Sequence, residues 1–109
     1  MYTNPFEITA RELKERLDRG DDLFLLDVRE PFEYQICKLE GSKLIPLGEV
    51  PARINELDSE REIIVYCHAG VRSARAVGWL FQAGFNKIKN LTGGIHAWAE
   101  EVDPTMPRY

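Results

Sequence analysis

Ile63-Ile64-Val65-Tyr66-Cys67-His68-Ala69-Gly70-Val71-Arg72-Ser73-Ala74 is the stretch on which the fold turns. Its first four residues are apolar and rich in β-branching, and they follow the charged run Ser59-Glu60-Arg61-Glu62, which is the pattern of a strand covered on both faces in a parallel sheet. After six residues a helix is expected to begin near residue 72, with Ala74, Val77, Leu80 and Phe81 as its apolar stripe and Gly84 at C′. A buried strand running through a short loop into a helix is half of a βαβ unit. The same reading applies upstream, where Leu23-Phe24-Leu25-Leu26 lies between Asp21-Asp22 and Asp27 and precedes a short helix at Glu30-Pro31-Phe32-Glu33-Tyr34.

Working outward, Thr9-Ala10-Arg11-Glu12 has capping-box spacing and opens a helix over about 10–19, which Gly20 stops. Lys43-Leu44-Ile45 before Pro46 reads as a short strand, and Val50, Ile54 and Leu57 fall on one helical face. Lys87-Ile88-Lys89 reads as an edge strand guarded by lysines. Gly93-Gly94 precedes a short helix carrying Ile95 and Trp98, and an extended tail covers about 101–109. Alternating strands and helices predict an α/β class, with a central, mainly parallel sheet of about five short strands flanked by helices on both faces. The 109 residues are expected to form one domain over 1–109.

Lys plus Arg is 14 and Asp plus Glu is 18, a formal net charge of −4, which argues against a nucleic-acid partner. No apolar run approaches a membrane span of ~18 residues, and the first residues have no secretory pattern, so a cytoplasmic location without membrane association is expected. Cys37 and Cys67 form neither a zinc pattern nor a C-x-x-C pair, and both are expected to be free thiols.

In open parallel sheets ligands bind beyond the carboxyl ends of the strands. Two such ends stand out, Asp27-Val28-Arg29 and the loop from Cys67 to Ser73. With Gly70 free to take positive φ, the loop can curl its backbone N–H groups onto one point, forming a nest for an anion at the start of a helix. The Cys67 thiol is then expected to ionise below the ordinary value of ~8.5, which makes it a candidate nucleophile. Arg72, a cation in the first helical turn, requires a compensating anion or acidic side chain, and His68 adds positive charge if protonated.

Other polar and aromatic residues carry plainer readings. Cys37 reads as a small buried hydrophobe. Asp27 is balanced between capping the helix near residue 30, with Arg29 as a surface partner, and supporting the site. Trp79, Phe81 and Trp98 read as core, Arg75 as a solvated charge, and His96 as a surface residue.

Leu26-Asp27-Val28-Arg29-Glu30, Glu33-Tyr34, Gly41-Ser42-Lys43-Leu44-Ile45-Pro46-Leu47, the loop from Tyr66 to Ala74, and Leu91-Thr92-Gly93-Gly94-Ile95-His96-Ala97-Trp98 together resemble the single-domain rhodanese (thiosulfate sulfurtransferase) family. The ending from Val102 to Tyr109 is similar to rhodanese domains of adenylyltransferase/sulfurtransferase proteins that feed sulfur to carrier proteins. The resemblance implies a rhodanese-like fold and a Cys67 persulfide, its outer sulfur held by the backbone of His68, Ala69, Gly70, Val71 and Arg72. It also implies a small anionic sulfur donor such as thiosulfate, acceptors such as cyanide, a thiol or a sulfur-carrier protein, and a cysteine desulfurase as a further protein partner. Neither metal nor organic cofactor is required. Where the family commonly has histidine, this chain has Lys38.

Two alternatives compete with sulfur transfer. A cysteine-dependent phosphatase or arsenate reductase resembles this loop but places five residues between Cys and Arg, whereas Cys67 and Arg72 enclose Ala69, His68, Gly70 and Val71 alone. A non-catalytic rhodanese-like interaction module is the other, and retention of Cys67 in an uninterrupted loop opposes it.

Overall fold

Short segments of extended and helical chain alternate from Glu7 to Glu101 in a computed structural model that describes residues 4–109. The first three residues of the expected domain lie outside that range. The strands are β1 (Glu7–Ile8), β2 (Phe24–Asp27), β3 (Lys43–Leu44), β4 (Ile63–Tyr66) and β5 (Ile88–Leu91). The helices are α1 (Ala10–Asp18), α2 (Pro31–Ile36), α3 (Val71–Gln82) and α4 (Gly94–Glu101). All pairings are parallel, in the order β1-β5-β4-β2-β3. The five-stranded parallel sheet flanked by helices is the expected architecture.

Local chemistry accounts for the element ends. Thr9 Oγ1 accepts the Glu12 N–H at 3.1 Å while the Glu12 carboxylate accepts the Thr9 N–H at 2.8 Å, so the capping box starts α1. Pro31 occupies the first turn of α2, where no N–H is needed. Along β4 the side chains alternate between the two sides of the sheet: Ile63 and Val65 join a cluster with Val50, Leu57, Val77 and Leu80, whereas Ile64 and Tyr66 join one with Leu13, Leu39 and Ile95. A core lies on each face, which is why the central strands read as unbroken apolar runs.

Several expectations need correction. Val50 and Leu57 are buried as anticipated, but 47–56 forms the 3₁₀ segments Leu47–Glu49 and Pro51–Glu56, the second kinked at Arg53 (φ −115°, ψ 16°). The buried stripe of α3 is Ser73, Ala76, Val77 and Leu80. Ala74 and Phe81 face out, because the loop turns Ser73 inward toward the sulfur and so sets the rotation of the whole helix. Trp79 and Phe81 are exposed rather than core, although Phe81 packs edge-on against Phe6 at 5.1 Å, and Trp98 is half-buried against the α1–α4 side. The lysine-flanked strand β5 is not an edge: β1 pairs outside it, and Lys89 reaches back to the Pro5 carbonyl. The tail expected over about 101–109 follows the end of α4 at Glu101 but is not extended throughout: it turns between Asp103 and Met106 and brings the Tyr109 hydroxyl to Glu33 of α2. Among the described residues, no helix is long and apolar enough to cross a membrane.

Candidate active site

Cys67 is the first residue beyond β4, and Gly70, at φ +103°, turns the chain into α3. The turn brings N–H groups back onto the sulfur: Gly70 N lies 3.1 Å and Ser73 N 3.4 Å from Cys67 Sγ, with Ser73 Oγ at 3.3 Å. The cysteine is almost fully buried. Burial pushes its thiol pKa up, but hydrogen bonds from the Ser73 hydroxyl and from the backbone of Ser73, Gly70 and Ala69 outweigh it, leaving the thiol below its ordinary range. A buried sulfur surrounded by donors is suited to carry negative charge.

The loop is held from behind by α4. Ile95 N donates to the Cys67 carbonyl at 2.9 Å and His96 N to the His68 carbonyl at 3.0 Å. This close approach explains Gly94, which sits at φ +62° and whose Cβ, were there one, would overlap both carbonyls. The helix that follows the glycine pair therefore serves as the loop's scaffold.

At the end of β2, Asp27 and Arg29 are both fully buried and bonded to each other, with Nε at 2.9 Å and Nη2 at 2.6 Å from the carboxylate. Arg29 is thus the partner of Asp27, but not at the surface; burial opposes its charge and Asp27 more than restores it. Its remaining N–H groups go to the carbonyls of Glu33 and Cys37 and to the Tyr109 hydroxyl. Tyr109 in turn donates to Glu33 Oε2 at 2.8 Å, and Glu33 binds both terminal nitrogens of Arg72 at 2.7 and 2.9 Å. The Arg72 guanidinium holds the Glu33 carboxyl down at about 2. The compensating acid that Arg72 requires is therefore Glu33, thirty-nine positions away.

The sequence-derived site residues divide. Ala69 and Gly70 turn backbone toward the sulfur, Val71 is exposed, and Arg72 is neutralised by Glu33. The His68 ring packs against Tyr109, with centroids 4.4 Å apart, and lies 5.7 Å from that of His96. Its Nδ1 is buried without a partner among the described residues, and burial followed by the neighbouring His96 lowers its pKa, so it is poorly placed to contribute positive charge. His96 is exposed as expected, yet adjoins the loop. Lys38 lies over the Tyr34 ring at 4.5 Å and makes no bond to Asp27, whose partner is Arg29. Both cysteines are free thiols, and Cys37 is half-buried, contributing its carbonyl to Arg29. Among the described residues no group of three His, Cys, Asp or Glu is placed to hold a metal.

Sequence reasoning missed Ser73, Asn90, Glu33, Gly94 and Tyr109 as parts of the site. Ser73 Oγ also donates to Asn90 Oδ1 on β5, and Asn90 Nδ2 donates to the Gly70 carbonyl at 3.2 Å. The signals available were weak: an acid needed to balance Arg72, and a glycine pair whose purpose was unassigned.

With this geometry in place, relatives become informative. The sequence profile described as Rhodanese-like domain matches residues 9–101. A probable adenylyltransferase/sulfurtransferase, MoeZ, of Mycobacterium tuberculosis is 41% identical over 94% of this chain, which spans 26% of that protein's length. A sulfurtransferase of Allochromatium vinosum is 36% identical, with 92% of this chain and 94% of that protein covered. The crystal structure of a rhodanese-related protein from Thermoplasma volcanium superposes with a TM-score of 0.80 at 38% identity, covering 88% of this chain and 92% of that one. The match runs from the N-cap of α1 to the last residue of α4 and includes the cysteine loop and its scaffold, and on that basis the chain belongs to the rhodanese-like domain family.

Proposed function

We propose that this protein is a sulfurtransferase that carries sulfane sulfur on Cys67. The observation that supports this most is the convergence of Gly70 N–H, Ser73 N–H and the Ser73 hydroxyl on one buried sulfur. The sulfurtransferase names of the mycobacterial and Allochromatium relatives point the same way. In the first step the Cys67 thiolate attacks the outer sulfur of thiosulfate: a Cys67–S bond forms, the S–S bond of the donor breaks, and sulfite leaves with the bonding electron pair. The persulfide's outer sulfur is then the anion facing the loop N–H groups. In the second step a nucleophile such as cyanide takes that sulfur and the thiolate returns. This is covalent catalysis with a modified-enzyme intermediate.

Arg72 is not a free anion ligand in this arrangement, since Glu33 already balances its charge. Its contribution to donor binding is electrostatic and partial. A sulfur-carrier protein is the proposed macromolecular acceptor, on the likeness to a quarter-length segment of the mycobacterial adenylyltransferase/sulfurtransferase. A cyanolysis assay tests the reading. Thiocyanate release from thiosulfate should show parallel double-reciprocal lines when donor and cyanide are varied; intersecting lines, or no thiocyanate, would reject a persulfide intermediate.

A further inference from the structure

Ser73 has one hydroxyl proton and two acceptors within reach. Its Oγ lies 3.3 Å from Cys67 Sγ and 2.5 Å from Asn90 Oδ1, and all three residues are buried. The Asn90 amide is not free to turn over. Its Nδ2 donates to the Glu7 carboxylate at 3.1 and 3.3 Å and to the Gly70 carbonyl at 3.2 Å, so a flipped amide would set its oxygen against acceptors only. Asn90 Oδ1 must therefore face Ser73.

The proton arithmetic differs between the two states of the sulfur. In the thiol, the Cys67 S–H can donate to Ser73 Oγ while the Ser73 O–H donates to Asn90, and every group is satisfied. In the thiolate, the sulfur has no proton to give and wants one more donor. If Ser73 turns to the sulfur, Asn90 Oδ1 is left buried without a donor; if it stays, the thiolate has backbone N–H groups alone. Either choice has a cost, since a buried polar group without a partner is destabilising.

We propose that Asn90 is a positioning residue whose carbonyl, locked by Glu7 and Gly70, competes with the Cys67 sulfur for the single Ser73 proton and so holds back ionisation of the thiol. The consequence for catalysis rests on the sulfur-transfer reading. Once the Cys67–S bond forms and sulfite departs, the charge resides on the outer sulfur, Cys67 Sγ becomes a neutral divalent sulfur and a weak acceptor, and the Ser73 proton returns to Asn90. The network thus favours the persulfide over the bare thiolate, keeping the thiolate eager for sulfur.

The charged and titratable groups around Cys67 are Arg72 with its partner Glu33, His68 beside His96, the closed Asp27–Arg29 pair beyond β2, and Glu7 behind Asn90. Replacing Asn90 by the isosteric Leu leaves all of them in place, and Glu7 keeps its bond from Thr92. The test is the ultraviolet absorbance of the thiolate followed against pH in a Cys37→Ser background, which reads Cys67 alone and needs no sulfur donor. Asn90→Leu should lower the apparent thiol pKa by about one, a hydrogen bond to a charged group being worth more than to a neutral one. Ser73→Ala should raise it, and Asn90→Leu should have no further effect when Ser73 is already Ala. A pKa unchanged or raised by Asn90→Leu, or lowered equally without Ser73, would overturn the proposal. Asn90→Ala repeats the measurement if the leucine variant does not fold. These titrations succeed or fail whether or not a persulfide forms, so the two readings stand apart.

Discussion

The carboxyl ends of β2 and β4 are neighbours in the sheet, yet one is closed and the other open. At β2 the chain continues Val28-Arg29, and the arginine returns to Asp27 so that acid and base consume each other's charge in full burial. At β4 the chain continues through Gly70 into a helix, and the groups returning to Cys67 are N–H and O–H donors without a full positive charge. A closed ion pair leaves nothing for a ligand, whereas a ring of donors around a sulfur favours negative charge at that end of the sheet. What distinguishes the closed strand end from the open one is the backbone that follows it.

The largest effect is expected where the closed end is opened. Arg29→Met strands the Asp27 carboxylate in the core and should cost about 3–5 kcal/mol in urea denaturation, because a lone buried charge is far worse than a pair. Adding Asp27→Asn should recover much of that loss. A single-variant cost below about 1 kcal/mol would mean that solvent reaches the pair and that β2 is not closed.

At the open end the corresponding break is Gly94→Ala. A methyl there pushes on the Cys67 and His68 carbonyls and moves the donors away from the sulfur, so sulfur transfer should fall by about a hundredfold, the scale expected of a displacement near 1 Å. Circular dichroism should still report a folded protein. Unchanged turnover would show that the α4 scaffold does not set the loop.

Glu33 and Arg72 join the two ends, and breaking their pair from either side should act in opposite directions. Glu33→Gln frees the Arg72 charge and should lower KM for thiosulfate by about threefold, while Arg72→Ala should raise it by a similar factor. Equal direction in both variants would reduce the pair to a packing role. Its stability contribution has a definite pH dependence. The Glu33 carboxyl is held at about 2 in the folded state, below its ordinary value of 4.5, so its contribution is complete above that ordinary value and fades as the pH falls toward about 2. The stability gap between wild type and Glu33→Gln should narrow over that interval.

The smallest effect belongs to Tyr109→Phe. Loss of the hydroxyl that the partly exposed Tyr109 offers to Arg29 and Glu33 should cost about 1 kcal/mol or less in urea denaturation. A cost several times larger would make Tyr109 a principal support of both ends.

What was legible in the sequence follows from the range of the interactions involved. The unbroken runs of β2 and β4, the Thr9–Glu12 cap and the Gly70 turn announce themselves within a few residues, and with them the parallel sheet and the place of Cys67. β1 was invisible because two residues show no periodicity, and its absence made β5 look like an edge. The rotation of α3 was misread for a different reason: the apolar count favoured Ala74 and Phe81, whereas the serine that faces the sulfur decides which side is buried. Glu33, Asn90 and Tyr109 meet the site only through folding, from other elements of the chain, and their sequence neighbours do not show which residues they will meet.

The central claim, that the open strand end carries sulfur on Cys67 and the half-buried Cys37 does not, is tested most directly by mass spectrometry of the intact protein after incubation with thiosulfate and removal of the excess. Wild type and Cys37→Ser should each gain the mass of one sulfur atom, lost again on adding cyanide, and Cys67→Ser should gain none. Retention of the added sulfur by Cys67→Ser, or its loss in Cys37→Ser, would contradict the assignment.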